Sequence, residues 1–481
     1  MEFNSQKWLL TVACGAPFLV ALDLFVVNVA FDQLAHEFPG ADLGTISWTL
    51  SAYAIAFAAL LIPLGSWSDR VGNRRGFITG VLVFTAGSAL AAAAPTLGVL
   101  IGARVLQAVG AAALTPASMS LLVTSLPAHR RAAGMRIWAA TSGMAAALGP
   151  VVGGVLVEIS WRMAFVINVP LGIASILLAL RVFATDPEAA QRRRAPGPVV
   201  RTLLCSVLLA TASALAVLYL INGDSWGWGA PTSIVVLVAA VVCAAVFVVV
   251  DRRATEALIP RQLFDDRRFT VGAMAMLIFS VAFAAGLLNA ILLLQQDWGY
   301  SVLLSGLAIA PGPLMVPVVT VLVGRRAAHI SPWPLAALGS LIWAAGSIVI
   351  GTSTSVVALH DSYAACFLPG WLLGGIGVGL TIPALLAGAT QELSSAVAAR
   401  GSAVVTMGRQ FGTTIGTSVL VAVLAGGLAR SVSWWIIAAI AGAAALTAYA
   451  GVTVTTRDRG PHNAATPVPG NRVDPSIPGA Q

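Results

Sequence analysis

Charge is scarce in this chain. Charged residues make up 10% of its 481 positions against 58% hydrophobic ones, and Lys7 is the single lysine. A water-soluble globule carries about 25% charged residues, so the balance excludes one. Cysteine is rare as well: Cys14, Cys205, Cys243 and Cys366 each fall inside an apolar run, with no CxxC and no histidine at ligand spacing. Neither a disulfide framework nor a metal site is built that way. A phosphate-binding glycine loop, an HExxH pair and a long soluble segment are all missing. ATP-driven pumping, zinc hydrolysis and a sensor with its own signalling domain therefore lack the residues they need.

What is present is apolar sequence. The mean hydropathy is +0.89, and runs long enough to cross a bilayer recur at 9–31, 46–66, 77–95, 98–122, 134–157, 163–183, 201–221, 231–250, 269–295, 303–323, 334–352, 363–387, 402–426 and 434–454. Runs of about 20 residues predict membrane-spanning helices rather than the alternating strands of a barrel. The expected fold class is an all-α integral membrane protein with fourteen spans. The first run has no small-residue cleavage site and is followed by further spans, so it reads as a retained helix.

The pI near 10 and the net charge of +8 do not point to nucleic acid, because the arginines sit in short loops and not on an aromatic-laced face. They alternate. Arg70, Arg130, Arg192, Arg252, Arg325, Arg400 and Arg457 lie on one side of the spans, whereas the other side holds mainly acids and only Arg162 and Arg430. By the positive-inside rule the Arg-rich side and both termini are cytoplasmic. Residues 184–200 read as a connector, and the Pro- and Gly-rich tail 457–481 as disordered. The paucity of lysine and the wealth of Ala, Val and Gly suggest a GC-rich bacterial genome and hence a bacterial cytoplasmic membrane.

Against this apolar background Asp23 stands out, one carboxylate within Ala21–Ala30 in the first run. An ionised side chain near the membrane centre costs about 3 kcal/mol on insertion scales, so such acids face an interior and take part in ion or proton movement. The plainer reading is a hydrogen bond to a neighbouring helix. Arg104 and Gln107 in the fourth run share one helical face with Ala111. The loop GSWSDRVGNRRG, Gly65 to Gly76, packs an acid, three arginines and three glycines into a tight turn that would serve as a charge latch. The fifth run carries Gly143, Gly149, Pro150, Gly153 and Gly154, whose small size permits close helix contact and whose proline can kink the helix.

In this order, LDLFVVNVA, GSWSDRVGNRRG, RVLQAVGAAAL, GMAAALGPVVGG and WRMAFVINVPLG resemble the major facilitator superfamily, and within it the fourteen-span drug:proton antiporter branch. The stretch Arg409 to Gly416 in span thirteen is similar to that branch's RQ-G-IG segment. The resemblance implies two six-helix halves, 1–183 and 251–456, with two extra helices inserted at 201–250. It implies proton coupling through Asp23 and Arg104, a latch of Gly65, Asp69, Arg70, Gly72, Arg74 and Arg75, and an antiporter hinge of Gly143, Gly149, Pro150, Gly153 and Gly154. No cofactor is implied, since the proton gradient drives transport.

Asn28, Gln107, Asn289, Gln295 and Arg409 are candidate substrate-cavity residues, with Phe279, Phe283, Trp343 and Trp371 as aromatic neighbours. The loop 324–329 keeps basic charge but lacks the acid of the first latch, and spans nine to fourteen hold no intramembrane acid, which argues against dicationic substrates. The expected function is proton-driven export of an amphipathic small molecule by a monomer in the lipid bilayer, with no nucleic-acid partner. Nutrient import by proton symport, and less so a membrane-embedded sensor, are the alternatives.

Overall fold

The computed structural model describes residues 2–183, 199–253, 257–259, 261–324, 330–355, 362–393 and 395–458. Residues 184–198 of the expected connector, the loop 325–329 and the tail from 459 lie outside them. The described chain is helical, with no strand. Its long elements are α1 (Glu2–Val29), α2 (Leu43–Val71), α3 (Asn73–Ala92), α4 (Leu97–Ser125), α5 (Ala128–Ile159) and α6 (Asn168–Val182). Then follow α7 (Val199–Trp226), α8 (Pro231–Arg252) and α9 (Arg267–Leu292, prolonged by a π turn at Leu293–Asp297). The last five are α10 (Val302–Ile309 and Pro311–Gly324, meeting at Ala310), α11 (Pro332–Ser355), α12 (Leu368–Thr390, entered through a π turn at Tyr363–Phe367), α13 (Ser395–Ala425) and α14 (Arg430–Asp458).

Twelve helices among the described residues are long and apolar enough to cross a membrane. Outside that set stand α13, which carries Arg400, Arg409, Gln410 and a series of Ser, Thr and Gly residues, and α5, whose described residues contribute the shorter apolar stretch Leu148–Ile159.

The helices start where polar side chains supply the missing acceptors. Asp42 accepts from the backbone N–H of Thr45 at 2.8 Å ahead of α2, Thr96 from Val99 at 3.4 Å ahead of α4, and Asp266 from Arg268 at 2.8 Å ahead of α9. Prolines inside α1, α2, α4 and α5 do not stop the helices. Neighbouring helices and local adjustments tolerate them in a membrane.

Packing divides the bundle into two groups, α1–α6 and α9–α14. Each has an intimate pair held by missing side chains. A methyl group on Gly87 of α3 would stand 2.6 Å from the backbone N of Gln107 on α4, and one on Gly377 of α12 would stand 2.6 Å from the carbonyl O of Gly339 on α11. Small residues let backbones approach where lipid supplies no hydrophobic driving force between helices. Between the groups, α2 meets α13, and α5 meets α10. α7 lies across the seam, touching both α2 and α13, whereas α8 rests on α7 with only 17% of its apolar window buried. These two are peripheral to the rest.

Candidate functional site

The first group has a polar centre made by five of its helices. Asp23 enters from α1, Arg104 and Gln107 from consecutive turns of α4, Asn168 from the first turn of α6, Ser88 from α3, and Thr49 and Tyr53 from α2. Asp23 accepts three hydrogen bonds: its Oδ2 from Arg104 Nη1 at 2.6 Å, its Oδ1 from Gln107 Nε2 at 2.7 Å and from Asn168 Nδ2 at 2.8 Å. Arg104 Nη1 also donates to Gln107 Oε1 at 2.6 Å, and its Nε to the carbonyl of Thr49 at 3.0 Å. Gln107 and Asn168 both reach Ser88 Oγ, at 2.7 and 3.2 Å. The guanidinium lies 4.2 Å from the centre of the Tyr53 ring, a cation–π distance.

None of Asp23, Ser88, Arg104, Gln107 or Asn168 has accessible surface. Removing two charges from water is costly and is repaid only with good geometry and further hydrogen bonds on the remaining lone pairs and protons. Asp23 has those bonds. Arg104 Nη2, the Tyr53 hydroxyl and Asn168 Oδ1 have no partner among the described residues. A network with such spare groups can accept a second arrangement once the carboxylate changes its charge.

The loop between α2 and α3 turns at Gly72, whose φ of +93° favours glycine. Its members are not equivalent. Arg74 Nη2 donates to the carbonyl of Leu180 at the end of α6 at 3.1 Å, and Asn73 Nδ2 donates to Ser120 Oγ on α4 at 2.6 Å. Gly65 sits against Pro116, with 3.3 Å available for a methyl group, and Arg70 is half-buried. Asp69 is exposed but not without a partner, and Arg75 is exposed.

The glycines of α5 serve two neighbours. Gly149 abuts Phe25, and a methyl group on Gly153 would stand 3.0 Å from Val26 Cα, so both face α1. Gly154 turns to the second group, where a methyl group would lie 2.9 Å from Leu303 Cα, and the Pro150 carbonyl abuts Gly306. Gly143 lies outside the residues whose surroundings are described. Around this contact the groups are tied on the acid-rich face: Leu303 N donates to Glu158 Oε2 at 3.0 Å, Gln296 Nε2 to Asp32 Oδ1 at 2.9 Å, and Gln295 Nε2 to the Val29 carbonyl at 3.3 Å. The two arginines of that face are paired, Arg162 with Glu37 at 3.0 Å and Arg430 with Asp297 at 2.6 Å.

The expected cavity residues separate. Gln107 belongs to the polar centre, Gln295 to the seal, and Asn28, 7% exposed, donates to the Leu24 carbonyl of its own helix at 2.7 Å. Asn289 follows Gly286, which meets Trp343 of α11, by three residues, and Ala285, which borders Ile437 of α14, by four. It therefore sits inside the second group, fully buried, with neither amide atom partnered among the described residues. Phe279, Phe283, Trp343 and Trp371 likewise form an aromatic core with centroids 5.7–6.2 Å apart. Arg409 remains half-buried on α13. A cavity of about 180 Å³ beside Asp297, Arg430 and Trp434 is too small for a drug-sized molecule.

A many-helix membrane bundle with a charged pair sealed in its core is the build of a membrane transporter. Comparison with known proteins agrees. A sequence profile of the Major Facilitator Superfamily matches residues 13–223. The methylenomycin A resistance protein of Bacillus subtilis (strain 168) is 30% identical over 85% of this chain and 86% of its own length. The cephamycin export protein CmcT of Amycolatopsis lactamdurans is 32% identical over 88% and 86%. A solved structure of peptide transporter POT superposes with a TM-score of 0.67 at 17% identity, covering 94% of each chain, a likeness of fold alone. The chain belongs to the Major Facilitator Superfamily, and its relatives include drug- and antibiotic-resistance proteins.

Asn168, Ser88, Tyr53 and Thr49 had not been singled out from sequence. For Asn168 there was a usable signal, a lone amide in an apolar run two residues before Pro170. The hydroxyls carry none, because Ser, Thr and Tyr are common in spans.

Proposed function

We propose that the protein exports an amphipathic drug or antibiotic across a bacterial cytoplasmic membrane in exchange for protons, by alternating access. The observation that carries this reading is the sealed carboxylate: Asp23 is fully buried, yet it is held by an arginine and two amides that can also serve its protonated form. Asp23 takes a proton when the acid-rich face opens and releases it when the opposite face does. Protonation frees Arg104, and the shift of that side chain against Thr49 and Tyr53 biases the α2–α4 contact. The turn at Gly72 and the Gly154–Leu303 contact are the hinged ends of the same movement. No cofactor enters the cycle.

We read α5 and α13 as spans too. At 32 and 31 residues and about 1.5 Å per residue they exceed the ~30 Å hydrocarbon core. The count is then fourteen, with α7 and α8 as the pair inserted between two six-helix halves and both termini in the cytoplasm. A monomer suffices. One proton moved through about 150 mV supplies roughly 3.5 kcal/mol, at about 2.3 kcal/mol per charge per 100 mV. At about 1.4 kcal/mol per tenfold, that sustains a gradient of a few hundredfold for a neutral substrate.

The test uses inside-out vesicles with an acidified interior, a pH-sensitive dye, and added hydrophobic drugs. Drugs should collapse the gradient with the native protein and not with Asp23→Asn. Identical responses would remove Asp23 from the proton path, and a response to nutrients alone would refute export.

A further inference from the structure

Among the residues whose surroundings are described, Arg409 is the one charge well inside a span that the polar centre does not use. It lies fourteen residues into the 31-residue helix α13, far from either end. Three acids of the bundle are committed elsewhere. Among the described residues of the second group, Asp297 pairs with Arg430 and Glu392 with Arg268, and in the first group Asp23 is closed against Arg104. Among the described residues no carboxylate forms an ion pair with Arg409.

The packing of α13 fixes where Arg409 points. Gly408, Gly412 and Gly416 form the face against α9: a methyl group on Gly412 would stand 2.8 Å from Ser280 Cβ, and one on Gly416 would stand 2.9 Å from Val281 Cα. Ala403 marks a second face, packed on the hydrophobic cluster of the first group that includes Tyr53, Phe57 and Leu61. Two edges remain between these faces. One is apolar, with Val404, Phe411 and Ile415, and suits the membrane-exposed helix α7 that also covers α13. The other is polar, with Ser402, Thr406, Arg409, Thr413 and Thr417 at three- and four-residue spacing. A half-buried arginine inside a span turns to the bundle interior, since a guanidinium in hydrocarbon costs about 3 kcal/mol or more. The polar edge therefore borders the space between the two groups.

We infer that Arg409 is the binding group for an acidic function on the substrate, so that the exported compound is an amphipathic organic monoanion, a carboxylate in the simplest case. This rests on the export reading above. The guanidinium fork matches a carboxylate with two parallel hydrogen bonds and is less strongly hydrated than an ammonium, which suits a partly dry site. Thr406 and Thr413, one turn to either side, return their hydroxyls to the carbonyls of Ser402 and Arg409. Their hydroxyl protons are thereby used, and Arg409 supplies the charged donor on that edge.

The test measures binding to the full-length protein in lipid nanodiscs by fluorescence polarisation, with two xanthene dyes of similar body: anionic fluorescein and cationic rhodamine 123. Fluorescein should bind and be displaced by 2-naphthoate but not by 2-naphthamide, a result that needs no variant. Arg409→Gln should weaken fluorescein by about tenfold to a hundredfold, the worth of a charge-assisted bond, and leave rhodamine 123 no weaker. Arg409→Lys should retain part of the affinity. Absence of fluorescein binding, equal displacement by the amide, or equal loss of both dyes in Arg409→Gln overturns the proposal. If Arg409-dependent binding is present but no imposed pH gradient drives fluorescein out of cells, the anion site stands and the export reading fails.

Discussion

Asp23 Oδ2 lies 2.6 Å from Arg104 Nη1, and neither side chain has any accessible surface. A pair in that position is strong mainly in the cost of breaking it. Leaving one buried charge alone costs about 3–5 kcal/mol, while replacing both by neutral groups of similar shape is far cheaper. Asp23→Asn and Arg104→Gln should each lower the melting temperature in detergent, and the double variant should recover most of the loss while remaining uncoupled from protons. A double-mutant cycle on thermal unfolding checks this. Additive losses would mean that the two residues are not energetically paired.

Asn168 should behave differently, because it is neutral and gives Asp23 a single bond at 2.8 Å. Asn168→Ala removes that bond and one partner of Ser88 at the cost of one hydrogen bond to a charged group, about 1.5–3 kcal/mol. Folding should survive. The expected signature is a changed pH dependence of transport at unchanged expression, measured as drug-driven proton flux over a range of external pH. An unchanged profile would make Asn168 a packing residue.

Much of this centre was legible in the sequence, and the reason is physical. Asp23 and Arg104 each interrupt an apolar run, where a charge is too costly to be incidental, and Gln107 shares Arg104's helical face. What the sequence withheld was direction. Asn289, Phe279, Trp343 and Trp371 have the depth and the chemistry of pocket residues, yet helix packing turns them into the second group's own core. Hydropathy marks where a helix lies in the bilayer and says nothing of which neighbour a given face meets. The loops escape for a related reason: Arg74 and Arg75 look alike in sequence, but one reaches the Leu180 carbonyl and the other is exposed.

That difference is testable. Gly72 holds φ at +93°, a region that costs a side-chain-bearing residue about 1–3 kcal/mol. Gly72→Ala should lower stability by that amount, and Arg74→Ala should loosen the α3–α6 contact, seen as faster hydrogen exchange at the end of α6. Arg75→Ala should do neither. Equal effects at 74 and 75 would show that the loop acts through its net charge and not through the Leu180 contact.

The contact between Gly154 and Leu303 permits the sharpest prediction about movement. A methyl group on Gly154 would stand only 2.9 Å from Leu303 Cα, and the Pro150 carbonyl abuts Gly306 just beyond, so neither backbone has room to yield to a larger side chain. Gly154→Leu must hold α5 and α10 apart on the acid-rich face. The bond from Leu303 N to Glu158 should be lost with it. Because the polar centre lies on other helices, the variant should still fold and insert. Spin labels at Ile159 and Ser301, read by double electron–electron resonance in nanodiscs, should show one longer distance in Gly154→Leu and a shorter or mixed distribution in the native protein, with export abolished. If the distances coincide and export persists, the two groups do not need to meet at this point, and closure of the acid-rich face must rest on the Gln296–Asp32 and Gln295–Val29 contacts instead.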